Sequence, residues 1–251
     1  MRHHFLPESI INFKTALIII AILSLPGVSF ADKSVQIDCK IADKFKLPKW
    51  YHEGLYLDDN NIWVNNGRKG KTWVIDASNG SMVSQIEPAG TFTESITSKE
   101  KGKYIVTDWD LKKIYTARIE KDQMKLEDEI SVAPAHPAGT VWNGANLFVI
   151  TWTRTLAGTK FRLLRMDDKF NILSDDLIEN IQEPTQLAWD GKYLWVSSWF
   201  DQRVYKIDYR TLDILGHIKS PAKKTTGIAW SGKYLWLTGT YSDLYKMELQ
   251  N

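Results

Sequence analysis

The chain has 251 residues, 43% hydrophobic and 25% charged, with 32 Lys and Arg against 30 Asp and Glu. That length supports one domain with a buried core. The near balance of charge, with no basic stripe and no acidic tail, excludes the signatures of a nucleic-acid binder and of a solvating segment. The outlier is tryptophan, at 11 residues, while a single cysteine, Cys39, allows neither an internal disulfide nor a cysteine metal site.

Residues Met1 to Ala31 read as a leader. Arg2 and Lys14 supply positive charge, Ala16 to Leu23 is an apolar run broken by Pro26 and Gly27, and Ser29-Phe30-Ala31 offers small residues for cleavage. The expectation is a signal peptide over residues 1–31, a mature domain over 32–251 in the periplasm or outside the cell, and no membrane span after cleavage. An uncleaved anchor is the alternative.

Val35 to Leu47 is strand-like. The units that follow repeat. Asn61 to Asn66, Lys103 to Trp109 and Asn146 to Trp152 are three apolar strands ending in polar or aromatic residues. Two stronger copies follow, Leu187 to Trp199 and Ile228 to Thr240, each a hairpin turned at Asp190-Gly191 or Ser231-Gly232, where glycine supplies the positive φ that a tight turn needs. Third strands follow at Arg203 to Asp208 and Asp243 to Glu248. Trp63, Ile105, Phe148, Trp195 and Trp236 fall in register at spacings of 42, 43, 47 and 41. A period of roughly 40–50 residues with about four strands per unit predicts an all-β, five-bladed β-propeller.

Blade 1 is expected over Glu53 to Ile86 with an outer turn at Asn79-Gly80, blade 2 over Ser95 to Val132, and blade 3 over Thr140 to Ile178. Blade 3 is expected to carry an inner loop at Thr153 to Gly158 and a turn near Ser174-Asp175-Asp176. The last blade has three strands before the chain ends. An N-terminal strand, Val35-Gln36-Ile37-Asp38 or its neighbours, is expected to fill its outer place and hide the open edge.

Propellers bind ligands at one mouth of the central channel. The residues entering each innermost strand and those leaving each second strand flank that mouth. Trp109, Trp152 and Trp199 leave the second strands of three consecutive blades. They form either an aromatic wall for an amine, a sugar face or a peptide side chain, or blade-to-blade packing. Glu53 and Glu94 enter adjacent innermost strands. Each is either a desolvated proton shuttle or a loop glutamate capping amides. His52, His136 and His217 share no ligand spacing, and neither a nucleophilic triad nor a glycine-rich phosphate loop is legible.

The stretches Glu53-Gly54-Leu55, Phe92-Thr93-Glu94-Ser95-Ile96-Thr97 and Thr107-Asp108-Trp109 resemble those of the plant and bacterial type glutaminyl-peptide cyclotransferases, and the likeness runs on through Gln186 to Trp199 and Gly227 to Leu249. The resemblance implies conversion of N-terminal glutamine to pyroglutamate with release of ammonia, with no metal or other cofactor. Glu94 matches the catalytic glutamate, and Trp109 and Trp199 match pocket tryptophans. Glu53 stands where the family has glutamine, Thr140 near a family tryptophan, Thr185 where it has asparagine and Thr240 where it has lysine. The substrate-binding set is thus Glu53, Trp109, Trp152, Thr185, Trp199 and Thr240, in a monomer acting on a peptide or small-molecule ligand. The competing expectation is a non-catalytic propeller binding a peptide, amine or cell-wall ligand in the same mouth. A weaker one is a lyase resembling the streptogramin-cleaving propellers, whose additional blades and histidine-centred metal site are absent from this sequence.

Overall fold

A computed structural model describes residues 34–48, 51–67, 70–88 and 90–250. The leader expected over 1–31 lies outside the described residues. Strand β1 (Cys39–Phe45) comes first. Blade 1 comprises β2 (His52–Asp58), β3 (Asn61–Asn66), β4 (Thr72–Asp76) and β5 (Met82–Ile86). Blade 2 comprises β6 (Thr93–Glu100), β7 (Lys103–Asp108), β8 (Lys113–Glu120) and β9 (Gln123–Ser131). Blade 3 comprises β10 (His136–Trp142), β11 (Leu147–Thr155), β12 (Gly158–Met166) and β13 (Ile172–Leu177). Blade 4 comprises β14 (Pro184–Trp189), β15 (Leu194–Ser198), β16 (Arg203–Ile207) and β17 (Ile214–Lys219). Blade 5 comprises β18 (Thr225–Ser231), β19 (Tyr234–Gly239), β20 (Leu244–Leu249) and, out of chain order, β1. Each blade is a four-stranded antiparallel sheet. The five innermost strands β2, β6, β10, β14 and β18 contact one another around a closed ring, so the fold is a five-bladed β-propeller.

The repeated hairpins explain their own sequences. Asp190 accepts from the turn amides of Lys192 and Tyr193 through Oδ1, and from the indole N–H of Trp195 at 3.0 Å through Oδ2. In the second copy Ser231 Oγ accepts the indole N–H of Trp236 at 3.1 Å. Gly191 and Gly232 take φ of 96° and 68°. The polar residue before each glycine therefore closes the turn and satisfies a buried tryptophan. Trp195 is fully buried and stacks on Trp230 of the next blade at 6.1 Å, so one indole joins two sheets.

The N-terminal closing strand is present, and it falls on the neighbours of Val35 to Asp38. Cys39–Phe45 pairs with β20, Cys39 opposite Leu249 and Phe45 opposite Leu244, with the Lys40–Glu248 and Lys44–Asp243 ion pairs across the edge. Val35 to Ile37 instead runs parallel to β17, where Ile37 N donates to His217 O and His217 N donates to Val35 O. The N-terminal segment therefore covers the outer edge of blade 4 before closing blade 5, and hides two edges instead of one.

Blade 3 departs twice. Thr153 to Gly158 is no inner loop: β11 and β12 keep pairing through Trp152–Phe161, Thr153–Lys160, Arg154–Thr159 and Thr155–Gly158. The β-branched threonines and the ring contact of Trp152 with Phe161, at 4.8 Å, sustain a strand where a loop was expected. Ser174 to Asp176 lies inside β13, where Asp175 stands opposite Leu164 of β12 and forms an ion pair with Arg162.

Candidate active site

Each innermost strand breaks register with its neighbour at the same end. The shifts fall between His52 and Leu55, Thr93 and Ser95, Pro137 and Thr140, Pro184 and Leu187, and Thr225 and Gly227. A bulge re-aims the side chains within it. The bulged residues Glu53, Glu94, Ala138, Thr185 and Thr226 all line one cavity of about 410 Å³. The backbones pack closely there. A Cβ on Gly139 would lie 2.4 Å from Gln186 Cα and from Thr185 O, and one on Gly227 would lie 2.5 Å from Glu53 O. Both positions are closed to any larger residue.

Hydrogen bonds cross every seam beneath this floor. Asn65 Nδ2 donates to Glu94 O (blades 1 and 2), Thr107 Oγ1 to Ala138 O (2 and 3) and Trp152 Nε1 to Pro184 O (3 and 4). Thr185 Oγ1 donates to Thr225 O (4 and 5) and Thr226 Oγ1 to His52 O (5 and 1). In the channel Gln186 Oε1 accepts from Ser95 Oγ at 2.9 Å, Thr140 N at 3.1 Å and Leu187 N at 3.2 Å, while Nε2 donates to Leu55 O at 3.3 Å. One carboxamide thus links four blades directly below the cavity.

The walls are aromatic. Trp109 and Trp199 directly follow the second strands of blades 2 and 4, Trp152 holds the same register inside the longer second strand of blade 3, and Phe92 joins them. Trp109 and Trp152 meet edge to face at 5.4 Å, and His136 packs on Trp109 at 4.8 Å while its Nδ1 bonds the Trp109 carbonyl at 2.9 Å. The ammonium of Lys224 lies 4.0 Å from the ring centroid of Trp199. The tryptophans therefore both line the cavity and pack against neighbours.

Of the residues expected at the site, Glu53, Glu94, Trp109, Trp152, Thr185 and Trp199 are brought together. Thr240 does not line the cavity. It is buried in the wall of blade 5, where its amide donates to Lys224 O and its carbonyl accepts from His52 N. Thr185 lines the cavity, but its hydroxyl is engaged with Ser197 Oγ and Thr225 O, both at 2.8 Å. Sequence reasoning missed Asp110, Arg154 and Glu183 in the lining, and Gln186 as the hub beneath it. Arg154 could have been found, because strand alternation puts it two residues beyond Trp152 on the same face. His52 is no ligand: it is buried, its Nε2 is bonded to Pro48 O at 2.7 Å, and burial holds its pKa below the usual histidine range. Among the described residues no group of three or more His, Cys, Asp or Glu side chains is arranged to hold a metal ion.

The carboxyls are not ordinary. Burial, then the charges of Asp110 and Asp108, push Glu94 up to about 8. Burial, then Glu94, holds Glu53 well above the usual carboxylate range. Glu94 is therefore largely protonated at neutral pH. The linkage has a definite sign. The unfolded chain ionises Glu53 near the ordinary value while the folded chain does not, so this group's contribution to stability falls as pH rises above that value. Glu53→Gln is therefore expected to raise the melting temperature over the parent by a few degrees at pH 8 and by little at pH 4, as thermal unfolding at the two pH values will test.

No protein-family model matches the chain, and no curated protein matches it. Solved structures do. Glutaminyl cyclase from Myxococcus xanthus superposes with a TM-score of 0.69 at 14% identity, covering 87% of this chain and 100% of that one. Aldose sugar dehydrogenase from Streptomyces coelicolor, in its PQQ-bound form, gives 0.59 at 12% identity over 86% of this chain and 99% of that one. Virginiamycin B lyase from Staphylococcus aureus gives 0.54 at 12% identity over 85% of this chain and 100% of that one. At these identities the likeness is one of fold, and it places the chain among the β-propellers.

Proposed function

We propose that the protein is an exported glutaminyl-peptide cyclotransferase, converting N-terminal glutamine to pyroglutamate and ammonia. The observation that carries this reading is a carboxyl, Glu94, at the floor of an aromatic-walled cavity with a pKa of about 8. The substrate α-amine attacks its own side-chain carbonyl carbon. A C–N bond forms, the C–NH₂ bond breaks, and Glu94 takes a proton from the amine and hands it to the departing ammonia. A shuttle must hold and release a proton near the working pH, and a group titrating near 8 matches an α-amine, whose own pKa is about 8. Ring closure is intramolecular, so holding the side chain against Trp109, Trp152 and Trp199 supplies much of the rate.

The departures from the family have counterparts. Burial, then Glu94, favours the acid form of Glu53, and in that form it presents one O–H donor and one carbonyl acceptor, the pattern a glutamine carboxamide would offer to the substrate carbonyl. Where the family has lysine this chain has Thr240, and an ammonium reaches the neighbouring wall from Lys224, whose carbonyl accepts the Thr240 amide. The likeness of fold to a glutaminyl cyclase is consistent with the reading. A second reading, a propeller that only binds an amine or peptide, is favoured by Thr185, whose hydroxyl is already engaged where the family has an asparagine.

The pH profile separates the two. With Glu94 as the base, kcat/KM for a free-amine glutaminyl peptide rises with pH and levels above about 8. Binding without release of ammonia at any pH would leave the second reading standing.

A further inference from the structure

The hairpin of blade 3 carries a residue that the proposed chemistry does not use. Second strands end at Asn66, Asp108, Ser198 and Gly239 in the other blades, but β11 continues to Thr155, past the level of Trp152. This extension stands at the mouth and is rigidly paired, residue by residue, with β12. It brings Arg154 into the lining of the cavity while its residue remains exposed to solvent. No ion pair joins Arg154 to another described residue, although acidic Asp110 and Glu183 line the same cavity. Among the described residues Arg154 is the cation of the lining, carried on a paired strand and exposed to solvent.

We infer that Arg154 is a specificity-determining residue that takes a carboxylate on the residue following the reacting one. The inference rests on the cyclotransferase reading for the identity of the ligand, a short peptide with a free N-terminus. With its first side chain on the tryptophans and its amine at Glu94, such a peptide leaves the cavity past the rim. A planar guanidinium binds a carboxylate through two parallel N–H donors, which makes a carboxylate the best complement there. That carboxylate comes either from an acidic second side chain or from the C-terminus of a dipeptide.

The test measures kcat/KM at low salt for three peptides: Gln-Gly with a free C-terminus, Gln-Glu with an amidated C-terminus, and Gln-Gly amide. The parent is expected to favour one or both carboxylate peptides over the amide by about tenfold, and the favoured peptide identifies the source. In Arg154→Ala that ratio falls to about one, and Arg154→Lys keeps part of it. Added salt erodes the parent's ratio, since the rim is exposed. No preference in the parent, or the same preference in Arg154→Ala, would overturn the inference. If no peptide is turned over, the cyclotransferase reading fails by itself. Tryptophan-fluorescence titration with the same three peptides then decides: selectivity for carboxylate that Arg154→Ala abolishes supports the rim site, and equal binding overturns it.

Discussion

Glu94→Gln is expected to lower the rate of ammonia release from a glutaminyl peptide by about 10²–10⁴-fold, the range that positioned proton transfer contributes. The substitution keeps the side chain's shape and removes its titration. Glu94 is held near 8 chiefly by burial, with Asp110 and Asp108 adding to the effect. A neutral carboxamide in that place is therefore no worse solvated than the acid it replaces. Thermal unfolding of the variant should show a fold at least as stable as the parent at pH 8, by the same linkage as for Glu53. Loss of turnover in a protein of undiminished stability then points to the proton. The pH-rate profile adds a separate readout: with Glu94 and the substrate amine both titrating near 8, kcat/KM of the parent should rise more steeply toward pH 8 than that of the variant, which follows the amine alone. A variant retaining most of the parent's rate would remove Glu94 from the mechanism.

Gln186→Leu is expected to destabilise the fold by about 2–4 kcal/mol, the cost of leaving one or two buried polar groups without partners. Gln186 Oε1 is the acceptor for the Ser95 hydroxyl and shares the Thr140 amide, and Nε2 serves the Leu55 carbonyl. Leucine replaces none of these bonds, and the groups it abandons belong to blades 1, 2 and 3. Urea unfolding with an unchanged slope and a lower midpoint is the expected signature. Because the bonds lie under Glu53 and Glu94, the variant should also lose affinity for peptide. A loss below about 0.5 kcal/mol would mean that the channel floor satisfies these groups without Gln186.

The fold was legible because blades 4 and 5 spell out the same hairpin twice, down to the Asp190 and Ser231 that bond the indoles of Trp195 and Trp236. Register then carried the reading to the three weaker blades and brought Glu53, Glu94, Trp109, Trp152, Thr185 and Trp199 to one mouth. What escaped depended on contacts distant in sequence. Which part of the N-terminal segment closes blade 5 was left open, since Val35 to Ile37 and Cys39 to Phe45 are both strand-like, and only the edges of β17 and β20 distinguish them. The blade 3 extension escaped because Thr153 to Gly158 has loop-like composition, although Trp152 and Phe161 hold it as a strand. The bulges that aim the floor residues leave glycines at Gly54, Gly139 and Gly227 as their trace, yet glycine in a strand does not say which neighbour approaches. Thr240 could be aligned with a site position, but a short β-branched side chain at that register is taken up in the wall.

The most direct test incubates the folded protein with a free-amine glutaminyl dipeptide and, separately, with its N-acetylated form, and quantifies ammonia and cyclised peptide together. The account predicts equimolar ammonia and pyroglutamyl product from the free amine and neither from the blocked one. Saturable binding of the free-amine peptide with no product at any pH would contradict it, and would leave the tryptophan-walled cavity as a binding site alone.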